Sequence, residues 1–162
     1  MNVRREPVTI GEAKVGGADT ILYTLGLGSC VAIVVYDGDR RIGGLAHALL
    51  PNPRAGRSPT PPARYATTAV DVLLTLMEGA GANPRRLRAR LAGGASMFDT
   101  VLSDGGRQLG MRNVEAARTA LARAGVPVDR EDVGGHHGRS VYLHVSEGHV
   151  VVTSVLHDDV VL

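Results

Sequence analysis

The sequence has no tryptophan, one phenylalanine and four tyrosines. A core built from it must come from Val, Leu, Ile and Ala, with many of the 21 glycines in tight backbone positions. Cys30 is the single cysteine, which excludes an intrachain disulfide and fits a reducing cytoplasm better than secretion. The start of the chain has no apolar segment of the signal-peptide kind, and no apolar run approaches the roughly 20 residues that span a bilayer. The expectation is therefore a cytoplasmic protein with no direct membrane insertion. Charge of one sign is also missing: 18 basic and 16 acidic residues leave a net +2, which argues against nucleic acid as the partner. What is present is 162 residues with a 44% apolar share, enough for one domain, residues 1–162, with a hydrophobic core.

Patterning divides the chain into short strands and two helices. Ile21 to Leu25 reads as a strand that runs into the turn Gly26-Leu27-Gly28-Ser29. Val31 to Tyr36 is a β-branched run that reads as a buried strand, and Arg41 to Leu50 returns after an Asp37-Gly38-Asp39-Arg40 turn. Pro51 to Pro62 reads as a surface loop rich in Pro and Arg. Thr60 as N-cap and Pro61 as first residue start a helix to about Glu78, striped by Tyr65, Ala69, Val72, Leu73 and Leu76. Leu87 to Ala92 and Val126 to Val133 read as strands. A second helix runs from about Gly110 to Ala124 on a Val114, Ala117, Leu121 stripe. Ser140 to Val145 and His149 to Val155 form a hairpin. This order predicts an α+β fold of layered, largely antiparallel sheets with two main packed helices.

The chemistry concentrates around Cys30. With Gly38-Asp39 as a two-residue loop, Asp37 faces Arg40 and Tyr36 faces Arg41, and the same register sets Cys30 directly opposite His47. Directly opposed residues have Cβ atoms about 4.5–5.5 Å apart, close enough for an imidazole to take the thiol proton and hold a thiolate–imidazolium pair. Backbone N–H groups at Gly28 and Ser29 offer a candidate oxyanion site. Thr24, on the preceding strand, is placed to accept a hydrogen bond from the imidazole. The alternative is a small buried cysteine and a satisfied core histidine.

Thr24-Leu25-Gly26-Leu27-Gly28-Ser29-Cys30-Val31-Ala32 resembles the signature of the CheD family, and Gly43-Gly44-Leu45-Ala46-His47-Ala48-Leu49-Leu50-Pro51 its segment around a histidine. Gly93-Gly94-Ala95-Ser96-Met97-Phe98, Gly110-Met111-Arg112-Asn113 and Gly134-Gly135-His136-His137-Gly138-Arg139 are similar to its GGAxMF loop, GxRN helix start and GGxxGR turn. These motifs occur in the family's order from about Gly11 to Val152. Arg64 to Ala69 departs from the pattern in lacking an acidic residue after the Tyr.

The resemblance implies a fold shared with deamidating bacterial toxins. It implies a cysteine-dependent protein-glutamine glutaminase acting on methyl-accepting chemotaxis receptors, with Cys30, His47 and Thr24 as catalytic residues. It further implies chemoreceptor cytoplasmic helices and a CheC-type phosphatase as partners. The alternative function is a non-catalytic chemotaxis adaptor; another amidohydrolase or amide-transfer reaction at the same cysteine is a third. No cofactor is expected. No metal is expected either, because the adjacent His136-His137 pair need not converge and His144 and His149 show no ligand partner at helical or strand spacing. Arg54, Arg57 and Arg64 make a basic loop, a solvated surface or a docking face for acidic helices. Arg112 and Asn113 are candidates for binding a partner, against the default of a helix cap and a solvated face.

Overall fold

The computed structural model describes residues 2–54, 60–97 and 105–162. In chain order the strands are β1 (Arg4–Pro7), β2 (Ala13–Gly16), β3 (Thr20–Leu27), β4 (Val31–Asp37), β5 (Ile42–Ala48), β6 (Arg88–Gly93), β7 (Val128–Val133), β8 (Arg139–His144), β9 (His149–Thr153) and β10 (Val160–Val161). The helices are α1 (Ala66–Gly79), between β5 and β6, and α2 (Gly105–Arg123), between β6 and β7.

The apolar run at Val31 fixes the centre of the architecture. β4 lies in the middle of a sheet ordered β2-β5-β4-β6-β7, antiparallel to both β5 and β6. A second sheet is ordered β1-β3-β8-β9-β10. Val31, Ile33 and Val35 point to one side, where they meet Ala69, Leu73 and Met77 of α1 and Val114, Ala117 and Leu121 of α2. Ala32 and Val34 point to the other, where they meet Leu22, Val141, Leu143 and Val152 of the second sheet. The strand shows no polar alternation because both of its faces are covered. The result is three layers, helices on sheet on sheet. Among the named strands two pairings are parallel, β1 with β3 and β6 with β7, and the others are antiparallel. The α+β expectation is met.

Several boundaries differ from the sequence reading. Thr60 does not cap α1. Pro62–Arg64 forms a separate 3₁₀ turn, and Tyr65, extended at φ −110°, is the residue that precedes the helix. The buried stripe of α1 is Ala66, Ala69, Val70, Leu73 and Met77, while Leu76 is exposed. α2 starts at Gly105, so Gly110 to Asn113 lies inside the helix and not at its start. β1, β2 and β10 were not predicted; the first two are mostly exposed or half-buried and lack an alternating pattern. Among the described residues no helix is long and apolar enough to cross a membrane. Arg57 and Phe98 lie outside the described residues.

Candidate active site

Cys30 immediately precedes β4, and its thiol is buried in the layer between the two sheets with Leu22, Leu27, Ala32 and Val34. His47 on β5 pairs with Ala32, so its ring emerges into the same layer. The expected register, with Cys30 directly opposite His47, is overturned. β4 and β5 close at Asp37↔Ile42 around a four-residue turn, and one further step of the ladder sets position 49 opposite Cys30. The cause is the Asp37 side chain. Its Oδ1 accepts from the backbone N–H of Asp39 (3.1 Å) and of Arg40 (3.2 Å), and its Oδ2 accepts from that of Asn83 (2.7 Å). Arg41 then takes φ 52°, a left-handed conformation that completes the longer turn. The displacement is two residues along one strand. Side chains in a strand alternate with period two, so the pair stays on one face and becomes diagonal, a spacing of roughly 7–8 Å between backbones that long side chains bridge.

Thr24 reaches the pair from the other sheet. Its Oγ1 lies 2.7 Å from His47 Nδ1, and both residues are 2% exposed. In the tautomer carrying hydrogen on Nδ1, the ring donates to the Thr24 hydroxyl and presents a lone pair at Nε2. Nε2 is buried and, among the described residues, has no hydrogen-bond partner. Burial pulls the His47 pKa down, with the Val8 backbone acting in the opposite direction. Burial pushes the Cys30 thiol up, opposed by its own backbone N–H. Both directions favour a neutral thiol beside a neutral imidazole in place of the pre-formed ion pair expected from spacing.

The turn before Cys30 is held from behind by segments distant in sequence. The carbonyl of Gly28 accepts from Ala95 N (2.9 Å) and that of Cys30 from Gly94 N (2.8 Å). The carbonyl of Ser29 accepts from Asn113 Nδ2 (2.8 Å), and the same amide donates to Leu49 O (3.0 Å), just past His47. Among the described residues, none accepts a hydrogen bond from the backbone N–H of Gly28 or Ser29. With three successive carbonyls engaged on one side, these donors remain available for a developing oxyanion.

Asn113 is therefore not part of a solvated face. It is fully buried and ties the cysteine turn to the end of the histidine strand. α2 approaches this closely because Gly110 has no side chain: a Cβ there would lie 2.5 Å from the Gly94 carbonyl oxygen and 2.6 Å from that of Ala95. The signal in the sequence was the motif itself; its convergence on Cys30 was not visible. Asn113→Ala is expected to cost about 2 kcal/mol, because two carbonyls lose their shared donor. Urea unfolding of the variant against the wild type measures it. Asn113→Asp is expected to be at least as harmful, since an ionised carboxylate has no N–H to give.

A cleft of about 470 Å³ opens on Thr24 and His47 and is lined further by Val8, Ile10, Tyr23, Leu25 and Gly26. Cys30 does not line it and keeps only 7% of its surface exposed. Arg54 and Arg64 are exposed. His136 binds the Ser96 carbonyl oxygen through Nδ1 at 3.2 Å, whereas the His137 ring packs against His157, tilted by 33° with centroids 4.0 Å apart, so the adjacent pair diverges.

Residues 49–154 match the family described as CheD chemotactic sensory transduction. The chain is 44% identical over 149 residues to a probable chemoreceptor glutamine deamidase CheD 2 of Geobacter metallireducens, covering 91% of this chain and 92% of that one. It is 43% identical over 154 residues to a probable chemoreceptor glutamine deamidase CheD of Thermococcus kodakarensis, covering 95% of each. Among solved structures, a Neisseria meningitidis protein of family DUF152 superposes with a TM-score of 0.50 at 12% identity, over 82% of this chain and 64% of that one. That likeness concerns the fold alone.

Proposed function

The chain belongs to the CheD family, and from that premise we propose that it hydrolyses selected glutamine side chains on chemoreceptor cytoplasmic helices to glutamate. The observation that carries this reading is the buried His47 ring, anchored at Nδ1 by Thr24 and unpartnered at Nε2, on the same face as the lone thiol. An imidazole arranged in this way is oriented at one nitrogen and free to move a proton at the other.

In the proposed reaction, Nε2 of His47 takes the thiol proton as Cys30 Sγ attacks the carboxamide carbon. The oxyanion is received by the N–H groups of Gly28 and Ser29. The proton passes from His47 to the departing nitrogen, ammonia leaves and a glutamyl thioester remains. His47 then takes a proton from water, the hydroxide attacks the thioester, and the proton returns to the thiolate as glutamate departs. Bonds and protons balance with water as the only co-reactant. The low exposure of Cys30 favours a slender side-chain amide over a peptide bond.

We further propose a CheC-type phosphatase as a second partner, and exposed Arg54 and Arg64 as complementary charge for acidic receptor helices. The test is incubation of a receptor cytoplasmic fragment with the wild-type protein, followed by mass spectrometry. The expected result is an amide-to-acid mass change at a subset of glutamines, with one ammonia released per conversion. Binding of the fragment without any conversion would favour the adaptor role, and incorporation of an added amine would favour amide transfer.

A further inference from the structure

Among the described residues, one cluster of ligating side chains lies outside the deamidase machinery, at the tip of the β8–β9 hairpin. His144 and His149 are the last pair of that ladder and face each other directly. Their rings lie 4.9 Å apart between centroids, tilted by 32°. Glu147, in the four-residue loop between them, places Oε2 3.2 Å from His149 Nε2. One ligand atom from each of the three residues lies within 4.8 Å of the others. Two ligands bound tetrahedrally at zinc–ligand lengths stand about 3.3 Å apart. The Glu147–His149 separation already equals that edge, and His144 closes the remaining gap by rotation of its ring.

The loop that carries Glu147 is fixed in advance. The Glu147 and Gly148 N–H groups both donate to the His144 carbonyl, at 3.3 and 2.8 Å. From the other sheet, Tyr36 Oη donates to Val145 O (2.9 Å) and Arg90 Nη1 donates to Gly148 O (2.8 Å). Gly148 is at φ 73°, and a Cβ there would overlap the Tyr36 ring, so the turn admits little else.

We propose that His144, Glu147 and His149 bind one divalent transition-metal ion of the zinc class, with water completing the coordination. Two imidazoles and one carboxylate suit zinc, copper or nickel and not calcium or magnesium. The ion would clip the hairpin whose first strand, β8, pairs Val141 with Thr24, three residues from His144. Its role is structural and independent of the deamidase reading.

The probe is Zn²⁺ added to untagged, chelator-stripped protein, with affinity measured by competition against a chromophoric chelator. One equivalent is expected to bind to the wild type and equally to Cys30→Ala. His144→Ala and His149→Ala are each expected to weaken binding by about 10-fold or more. Saturating Zn²⁺, at about 100 times Kd, is expected to raise the wild-type Tm by about 5 °C and to leave the double variant unmoved. Metal-free unfolding curves confirm that the variants fold. Three outcomes overturn the proposal: no binding, unchanged binding in the double variant, which would point to the His137–His157 pair, and loss of binding in Cys30→Ala alone, which would move the ion to the catalytic pair.

Discussion

Cys30→Ala and His47→Ala are each expected to lower the rate of receptor-fragment deamidation by about 10³-fold or more, and the double variant is expected to be no slower than either single one. The non-additivity follows from the proposed chemistry. The thiol is neutral in the resting protein because burial raises its pKa, so without a base it is a poor nucleophile. The imidazole has nothing to activate without the thiol. Mass-spectrometric time courses on the four proteins measure this, and additive losses would show that the two residues do not act as a unit.

The pH dependence follows from His47. Its pKa is lowered by burial, so it stays neutral below the ordinary histidine value of about 6.5. A base is lost only when protonated; the acid limb of kcat/KM is therefore expected below pH 6.5 and absent between 6.5 and 8. A limb centred above 6.5 would mean that the thiolate–imidazolium pair forms in the free protein.

Gly93→Ala is expected to destabilise the fold by about 3 kcal/mol or more and to lower Tm by about 10 °C. Gly93 ends β6 at φ 108°, where a side chain is strained, and an added Cβ would overlap the backbone carbonyl oxygen of Cys30. That carbonyl is engaged by Gly94 N, and Val31 pairs with Gly93 across the ladder, so neither side can yield without moving the cysteine turn. Gly26→Ala is the control. Gly26 is also left-handed, at φ 69°, but an added Cβ there meets nothing within 4 Å. Only the conformational cost remains, about 1 kcal/mol. Thermal unfolding of the two variants separates a steric clash from a backbone preference; equal Tm losses would refute the close approach at Gly93.

The two β-strands around the site were legible because their signals are local. The run from Val31 to Tyr36 announces a buried strand, and the return through His47 follows from the intervening turn. The turn itself was misread. Gly38-Asp39 looks like a two-residue loop, but the Asp37 carboxylate binds backbone donors at Asp39, Arg40 and distant Asn83 and stabilises a longer one. The shared face of Cys30 and His47 survived the error because the displacement was even. Thr24 was correctly expected at the imidazole, and the CheD resemblance reached the right family.

By itself, then, the sequence determined the class of fold, the central strand, the stripe of α2 and the face on which thiol and imidazole lie. These depend on side-chain period and on short-range turn and helix preferences. Tertiary structure alone decided that Thr24 reaches His47 from the other sheet, closing the expected contact at 2.7 Å, and that Asn113 is buried behind Ser29 and Leu49. These contacts depend on how two sheets and a helix stack, and on how each loop carries its side chains into the gap. Such arrangements are set by the packing of the whole core and leave no periodic trace in the chain.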